Sequence, residues 1–445
     1  MHRFPPYAVV GCLMLLAVLT AAGCSGPKEA EGEQRPRRTR SPERFPSYVE
    51  MNLASAQSEV RTIQLYGSRG GVTDEAALPV APVGTSRALT LEFDLLSDRG
   101  RPLSVYFYHA DRLWRRDLTP SEYLDSFHRD DLLDYTMSLG TDPAYVHYTY
   151  RFPNPTIQFR LSGNYIVRVT EQGDEDAVLF ERAFFVTEQR AAMDFVTDQV
   201  LLGGTAYPST QPIAAFRPPA DLPGNAFDYN VCFVRNGRFE LARCSDRPSL
   251  AQQPVMQFYL EPEMAFEPEG ASYFLDLSTI DGGPQIARVD RSRRPFEVTL
   301  EPDYARFGTS GIAPLLNGQT VVSGAVRGVG DADTEAEYVR VRFSYVPPDE
   351  QPLAGEVIVT GSFSDWQFDP ANRLSWVPEA GRYEGELLLK QGQYEYRYAA
   401  RDRRLARALA GTMPRPENHY AAFVYYRDIR VNTDRLLAVD AIVGP

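Results

Sequence analysis

His109 and Asp111 sit two residues apart in an aromatic run, the spacing of a base and the acid that could orient it. The same residues suit a strand histidine satisfied by packing, and His147, set among tyrosines, reads as packing too. Asp331, Asp333, Glu335 and Glu337 space carboxylates at every second position, like the opening of a calcium loop. Ala336 stands where the tight-turn glycine belongs and no terminal Glu follows at the right distance, so this run reads as a solvated acidic loop. Cys232 and Cys244 flank Asn236-Gly237, a hairpin turn signal, and in an oxidising envelope they could pair and staple that hairpin. A two-residue turn would set Cys232 opposite Leu241, so pairing needs a longer loop or a bulge. The sequence holds no Gly-x-Ser-x-Gly elbow, His-Glu-x-x-His, phosphate loop or Cys-x-x-Cys. No metal site, no cofactor and no catalytic constellation is expected. The best binding candidate is Gly361 to Trp366, followed by Gly392 to Tyr398, where Trp366, Tyr394, Tyr396 and Arg397 could present rings and a cation to a sugar or to a protein partner.

These residues must be positioned by strands. Leu89, Leu91 and Phe93 alternate with Thr90, Glu92 and Asp94; Val339, Val341, Phe343 and Tyr345 alternate with Arg340, Arg342 and Ser344; Tyr394, Tyr396 and Tyr398 alternate with Glu395 and Arg397. Period-two patterning marks half-buried antiparallel strands. With 34 Pro, 32 Gly and 12% aromatic residues, the chain is expected to be all-β, a tandem of Ig-like β-sandwiches. Its 445 residues are too many for one ordinary core. The expected units are an N-terminal sandwich over 48–189, a middle β domain over 190–309 and a C-terminal sandwich over 310–445. A net charge of −13 argues against nucleic acid as a partner, because phosphate contact needs a basic face.

Ahead of these units, Arg3 and the apolar run Ala8 to Ala22 form an export signal over 1–23. It ends Leu19-Thr20-Ala21-Ala22-Gly23-Cys24, which looks like a bacterial lipobox and marks Cys24 for lipidation; plain secretion after Ala-Ala-Gly is the alternative. The polar stretch 24–47 reads as a tether, and acyl chains on Cys24 would anchor the mature protein to a membrane.

The Trp366 segment resembles the glycogen-binding module of starch-active enzymes and kinase β subunits, in which one Trp stacks on sugar beside a basic residue; Trp366 and Arg397 match those places over 355–400. The second aromatic platform is missing from Arg401 to Leu405, so this resemblance implies an Ig-like sandwich more than a sugar site. A second resemblance covers nearly the whole mature chain. Its words are LTLEFDLL from Leu89, YFYHADRLWRRDLTPSEYLDSF from Tyr106, LSGNYIVRV from Leu161, EYVRVRFSY from Glu337, YEGELLLKQGQYEYRY from Tyr383, Gly411-Thr412 and VYYRD from Val424. In this order they resemble the plug protein family of the bacterial type IX secretion system. That resemblance implies a non-enzymatic protein that docks on the outer-membrane translocon barrel and closes its periplasmic opening. With Cys24 acylated, the expected place is the periplasm, held at the outer membrane, with surface exposure as the other outcome of sorting. The competing reading is an envelope glycan-binding lipoprotein using Trp366.

Overall fold

The strand Leu89–Leu95 shows how this chain folds: all seven of its residues are buried. Leu89, Leu91, Phe93 and Leu95 enter a core, while Thr90, Glu92 and Asp94 face the other way and are buried as well. A strand patterned to keep one face in water is therefore covered on both. The computed structural model describes residues 51–445 other than 70–71, 87, 202–206, 250, 252–253, 269–271, 281, 305–315, 324–330 and 411–416. The expected signal 1–23, the tether 24–47 with Cys24, and Gly411-Thr412 lie outside the described residues.

The protein is all-β. A four-stranded sheet, ordered Val60–Tyr66, Leu89–Leu95, Val146–Phe152 and Tyr135–Met137, faces a five-stranded sheet ordered Val80–Pro82, Val178–Thr187, Gly163–Glu171, Leu103–Ala110 and Arg129–Leu132. Their shared core centres on Phe93, Phe107, Phe152, Tyr165 and Phe184. Rings meet edge-on or stacked within it, as with Phe93 against Tyr148 at 5.0 Å and Phe107 against Phe184 at 6.0 Å.

The middle sandwich pairs a three-stranded sheet (Met193–Val200, Ser209–Phe216, Met256–Tyr259) with a four-stranded one (Arg243–Ser245, Tyr229–Arg235, Asn418–Asp428, Thr433–Gly444). The third sandwich runs Tyr273–Asp276, Gly392–Ala399, Val357–Gly361, Arg373–Val377, Arg382–Lys390, Tyr338–Val346, Glu297–Leu300 and Ile286–Asp290 in sheet order. Its strand Arg373–Val377 pairs first with Val357–Gly361 and then with Arg382–Lys390, so it carries the sheet around a corner.

This topology corrects the expected boundaries 190–309 and 310–445. Strands from Tyr273 to Leu300 belong to the third sandwich, and Asn418–Asp428 and Thr433–Gly444 return to the middle one. The reason lies in packing. Tyr420, Ala422, Val424 and Tyr426 share a core with Val231, Phe233 and Phe258, whereas Leu275, Val298 and Leu300 share one with Val341, Phe343 and Tyr396. Strand pairing over long sequence separations leaves no local signature in composition.

Candidate functional site

The cysteines illustrate how local structure sets a site. Asn236 and Gly237 both take positive φ (52° and 65°), as a tight turn requires. The chain then makes a short 3-10 turn, Phe239–Leu241, before the strand Arg243–Ser245 begins. Those extra residues shift the register so that Cys232 faces Cys244, and the two are joined by a disulfide with Cα atoms 3.9 Å apart.

The catalytic candidates separate. His109 is 1% exposed, and its Nδ1 lies 2.8 Å from Asp117 rather than on Asp111. Asp111 instead organises its own loop, accepting the backbone N–H groups of Leu113 and Arg115 and the Arg115 guanidinium. No acid–base dyad forms from these two residues. The aromatic candidates move inward too. Tyr394 and Tyr396 are 2% and 3% exposed and belong to the third core, so neither ring can stack on a sugar. Trp366 donates its indole N–H to the Gly318 carbonyl at 3.1 Å, and the guanidiniums of Arg238 and Arg397 lie 4.9 and 5.5 Å from its ring centre. Next to it, Asp365 pairs with Arg182 of the first sandwich at 2.6 Å. The Gly361 to Trp366 loop thus contacts both other sandwiches. A cleft of about 720 Å³ runs beside it, bordered by Arg182, Phe363, Asp365, Phe368 and Lys390.

The polar residues that matter most escaped sequence reasoning. Asp94, 1% exposed, accepts from His147 Nδ1 at 2.8 Å, from the Tyr338 hydroxyl at 2.7 Å and from Lys390 Nζ at 2.8 Å. Lys390 also donates to the Asp333 carbonyl at 2.7 Å and lies over the Tyr145 ring at 4.3 Å. Burying this charge pair is tolerable because each partner's remaining bonds are made. The network joins the first sandwich to the third. Nearby, Glu75 accepts from Gln64 at 2.5 Å and from the Val322 backbone N–H at 2.7 Å, crossing the same seam. Burial pushes the Glu75 and Glu92 carboxyls above their ordinary range. Burial opposes the charged form of His147, but the hydrogen bond and charge of Asp94 outweigh it and raise its pKa. The acidic run is corrected here as well. Asp331 caps the short helix Ala332–Glu335, and Glu337 accepts from the Asp142 backbone N–H at 3.1 Å. It is seam structure rather than a solvated loop.

The opposite face of the first sandwich meets the middle one through apolar side chains. Phe185 lies 4.5 Å from Phe423 and 4.9 Å from Phe239, with Trp114, Ile166, Val234, Ala421 and Leu436 around them. Beside them Arg112 pairs with buried Asp434 at 3.0 Å, and Arg435 bridges Glu188 at 2.7 Å and Asp428 at 2.8 Å. The first sandwich is thereby held on both faces. One edge stays open. In the sheet-edge strand Tyr135–Met137 and its flanks, every second residue is an exposed apolar one: Leu133, Tyr135, Met137 and Leu139.

Residues 60–188, the span of this clamped sandwich, match the family model of the type 9 secretion system plug protein 1st domain. The first sandwich belongs to that family. A crystal structure of a hypothetical protein from Parabacteroides merdae ATCC 43184 is 22% identical, with a TM-score of 0.75 over 89% of this chain and 100% of that one. That likeness shows that the three-sandwich fold recurs. A further chain, described as manganese lipoxygenase of Gaeumannomyces graminis with part of zonadhesin of Komagataella pastoris, is 9% identical over 87% of this chain and 97% of its own, with a TM-score of 0.11. No curated protein matches the chain. No helix among the described residues is long and apolar enough to cross a membrane.

Proposed function

We propose that this chain is a non-enzymatic plug of the type IX secretion translocon, closing the periplasmic opening of the outer-membrane barrel by protein–protein docking and held at that membrane by lipid on Cys24. The observation that carries the reading is the plug-domain match over residues 60–188. Its physical support is the clamping of that domain between two others. A wide opening is sealed by a body that keeps its shape, and two seams on opposite faces give such a body. The contact surface assigned by this reading is the apolar edge of the plug domain. Exposed Leu133 (69%) and Leu139 (64%) flank an edge strand, the kind of surface that soluble proteins usually blunt unless it meets a partner. The Trp366 glycan reading loses its platform, since Tyr394 and Tyr396 are core residues.

The test is co-purification from native outer membrane in mild detergent, with a tag at the C-terminus. Recovery of a very large barrel protein without the partner that occupies its lateral gate is expected. Leu133→Glu with Leu139→Glu should abolish that recovery while leaving the fold intact. A protein that elutes without any barrel, or with polysaccharide, overturns the reading. Loss of labelling by palmitate in a Cys24→Ser variant checks the anchor separately.

A further inference from the structure

At the seam between the first and third sandwiches, Glu92 and His147 lie on neighbouring strands of the four-stranded sheet, and Asp333 arrives on the short helix Ala332–Glu335 of the third. One ligand atom from each, an imidazole nitrogen and two carboxylate oxygens, lies within 4.8 Å of the other two. The geometry has an unsatisfied member. His147 is 6% exposed, and its Nε2 is buried without a hydrogen-bond partner. A buried ring nitrogen left in that state is costly and calls for an occupant. The other nitrogen, Nδ1, sits 2.8 Å from Asp94, and in the neutral imidazole a donor bond there leaves the lone pair on Nε2. That lone pair faces two carboxylates, with Asp333 Oδ2 4.0 Å away. Lone pair and anions together repel unless a cation stands between them, either a proton on Nε2 or a metal ion bound to it.

We propose that Glu92, His147 and Asp333 bind a divalent cation of the zinc class, which fastens the plug-family sandwich to the third. The ligand set fits that class: one imidazole and two carboxylates leave a fourth tetrahedral place for water. Calcium and magnesium favour six or more oxygens and are poorly served by a ring nitrogen. Asp94 completes the arrangement as the carboxylate that orients a metal-binding histidine. Tyr66 orients Glu92 by donating its hydroxyl to Oε2 at 2.6 Å. Lys390 is the cation that balances Asp94, so the charges of Glu92 and Asp333 remain for the metal to offset. Ligands about 2 Å from a tetrahedral ion lie roughly 3.4 Å apart, so the three side chains draw together by about 1 Å on binding. The proposal concerns the coupling of two sandwiches and does not depend on the plug reading.

The test uses the purified full chain, stripped with a chelator and dialysed against zinc, calcium or magnesium, with bound metal measured by mass spectrometry and calorimetry. About one zinc per chain is expected, with no retained calcium or magnesium, and zinc should raise Tm. Asp333→Asn changes a side chain that is 40% exposed and so leaves folding intact. It should weaken zinc binding by at least about 100-fold and remove the Tm shift. His147→Gln should do the same. Two results overturn the proposal: a wild-type chain that retains no zinc, or variants that bind zinc as the wild type does. A His147 ring that carries protons on both nitrogens in zinc-containing buffer, read by nitrogen NMR, overturns it as well, because the proton then holds the place assigned to the ion.

Discussion

The two seams of the plug-family sandwich differ in their balance of polar and apolar contacts. Toward the third sandwich it presents Asp94, His147, Glu92 and Gln64, joined by directed bonds to Tyr338, Lys390 and Thr320. Toward the middle sandwich it presents Phe185, Ile166, Ala183 and Trp114 to a mainly apolar surface, in which Asn164 accepts from the buried Tyr425 hydroxyl and Arg112 pairs with buried Asp434. Apolar contact holds surfaces together without fixing direction. Hydrogen bonds to a buried charge tolerate one arrangement only, since a slipped register would strand Asp94 or Lys390 without a partner. Both seams therefore carry bonds that align them, and the middle one adds the larger share of apolar adhesion.

Four perturbations sharpen or break this contrast. Lys390→Met should have the largest effect, about 3–5 kcal/mol, because it leaves Asp94 charged and buried without its cation. Denaturant unfolding gives the magnitude. Hydrogen exchange should show Val60–Tyr66 and Tyr338–Val346 losing protection before Asn418–Asp428 does. Equal loss at both seams would end the distinction. Phe423→Ala should cost about 3 kcal/mol by removing the ring that packs on Phe185, with the order of exchange reversed. Replacing Cys232 and Cys244 with Ser should cost about 2–3 kcal/mol for a loop with a sequence separation of 12 residues, read as a lower denaturant midpoint.

The smallest effect is a difference in pH response. Glu75, at the polar seam, has a folded pKa raised by burial, so its contribution is full below the unfolded value of about 4.3 and is lost as pH rises through the folded one. Asp428, whose partner Arg435 bridges to Glu188 at the rim of the apolar seam, is held well below the carboxylate range by hydrogen bonds from Arg430 and Arg435. Its contribution is present above about 3.9 and is lost as pH falls. Exchange measured between pH 4 and 7 should show the Glu75 region gaining protection toward acid while the Arg435 region does not.

Much of the fold was legible. The alternations at Leu89 to Asp94 and at Val339 to Tyr345 are strands in the places expected. What alternation cannot tell is what covers the second face. Thr90, Glu92 and Asp94 read as the wet side of a strand and are instead roofed by another sandwich. Lys390 follows Glu386 and Leu388 in the same register, yet it is 1% exposed. The tyrosines at 394, 396 and 398 carried their aromatic signal correctly but not its direction, because a ring suited to stacking on sugar is also suited to packing against Tyr273 or Phe343. The partition of strands between sandwiches was not legible, since Asn418–Asp428 pairs with Tyr229–Arg235 across nearly two hundred intervening residues.

That pairing has a mechanical consequence. The strands from Tyr273 to Ala399 are spliced into the middle sandwich, leaving it after Met256–Tyr259 and rejoining it at Asn418–Asp428. A body joined at two points has less freedom to twist than one hung from a single linker. A push on the third sandwich is shared between two covalent lines into the middle one, and torque that would twist a single linker is resisted by the second. Under load, such an assembly resists twisting between the third and middle sandwiches more than one joined through a single linker would.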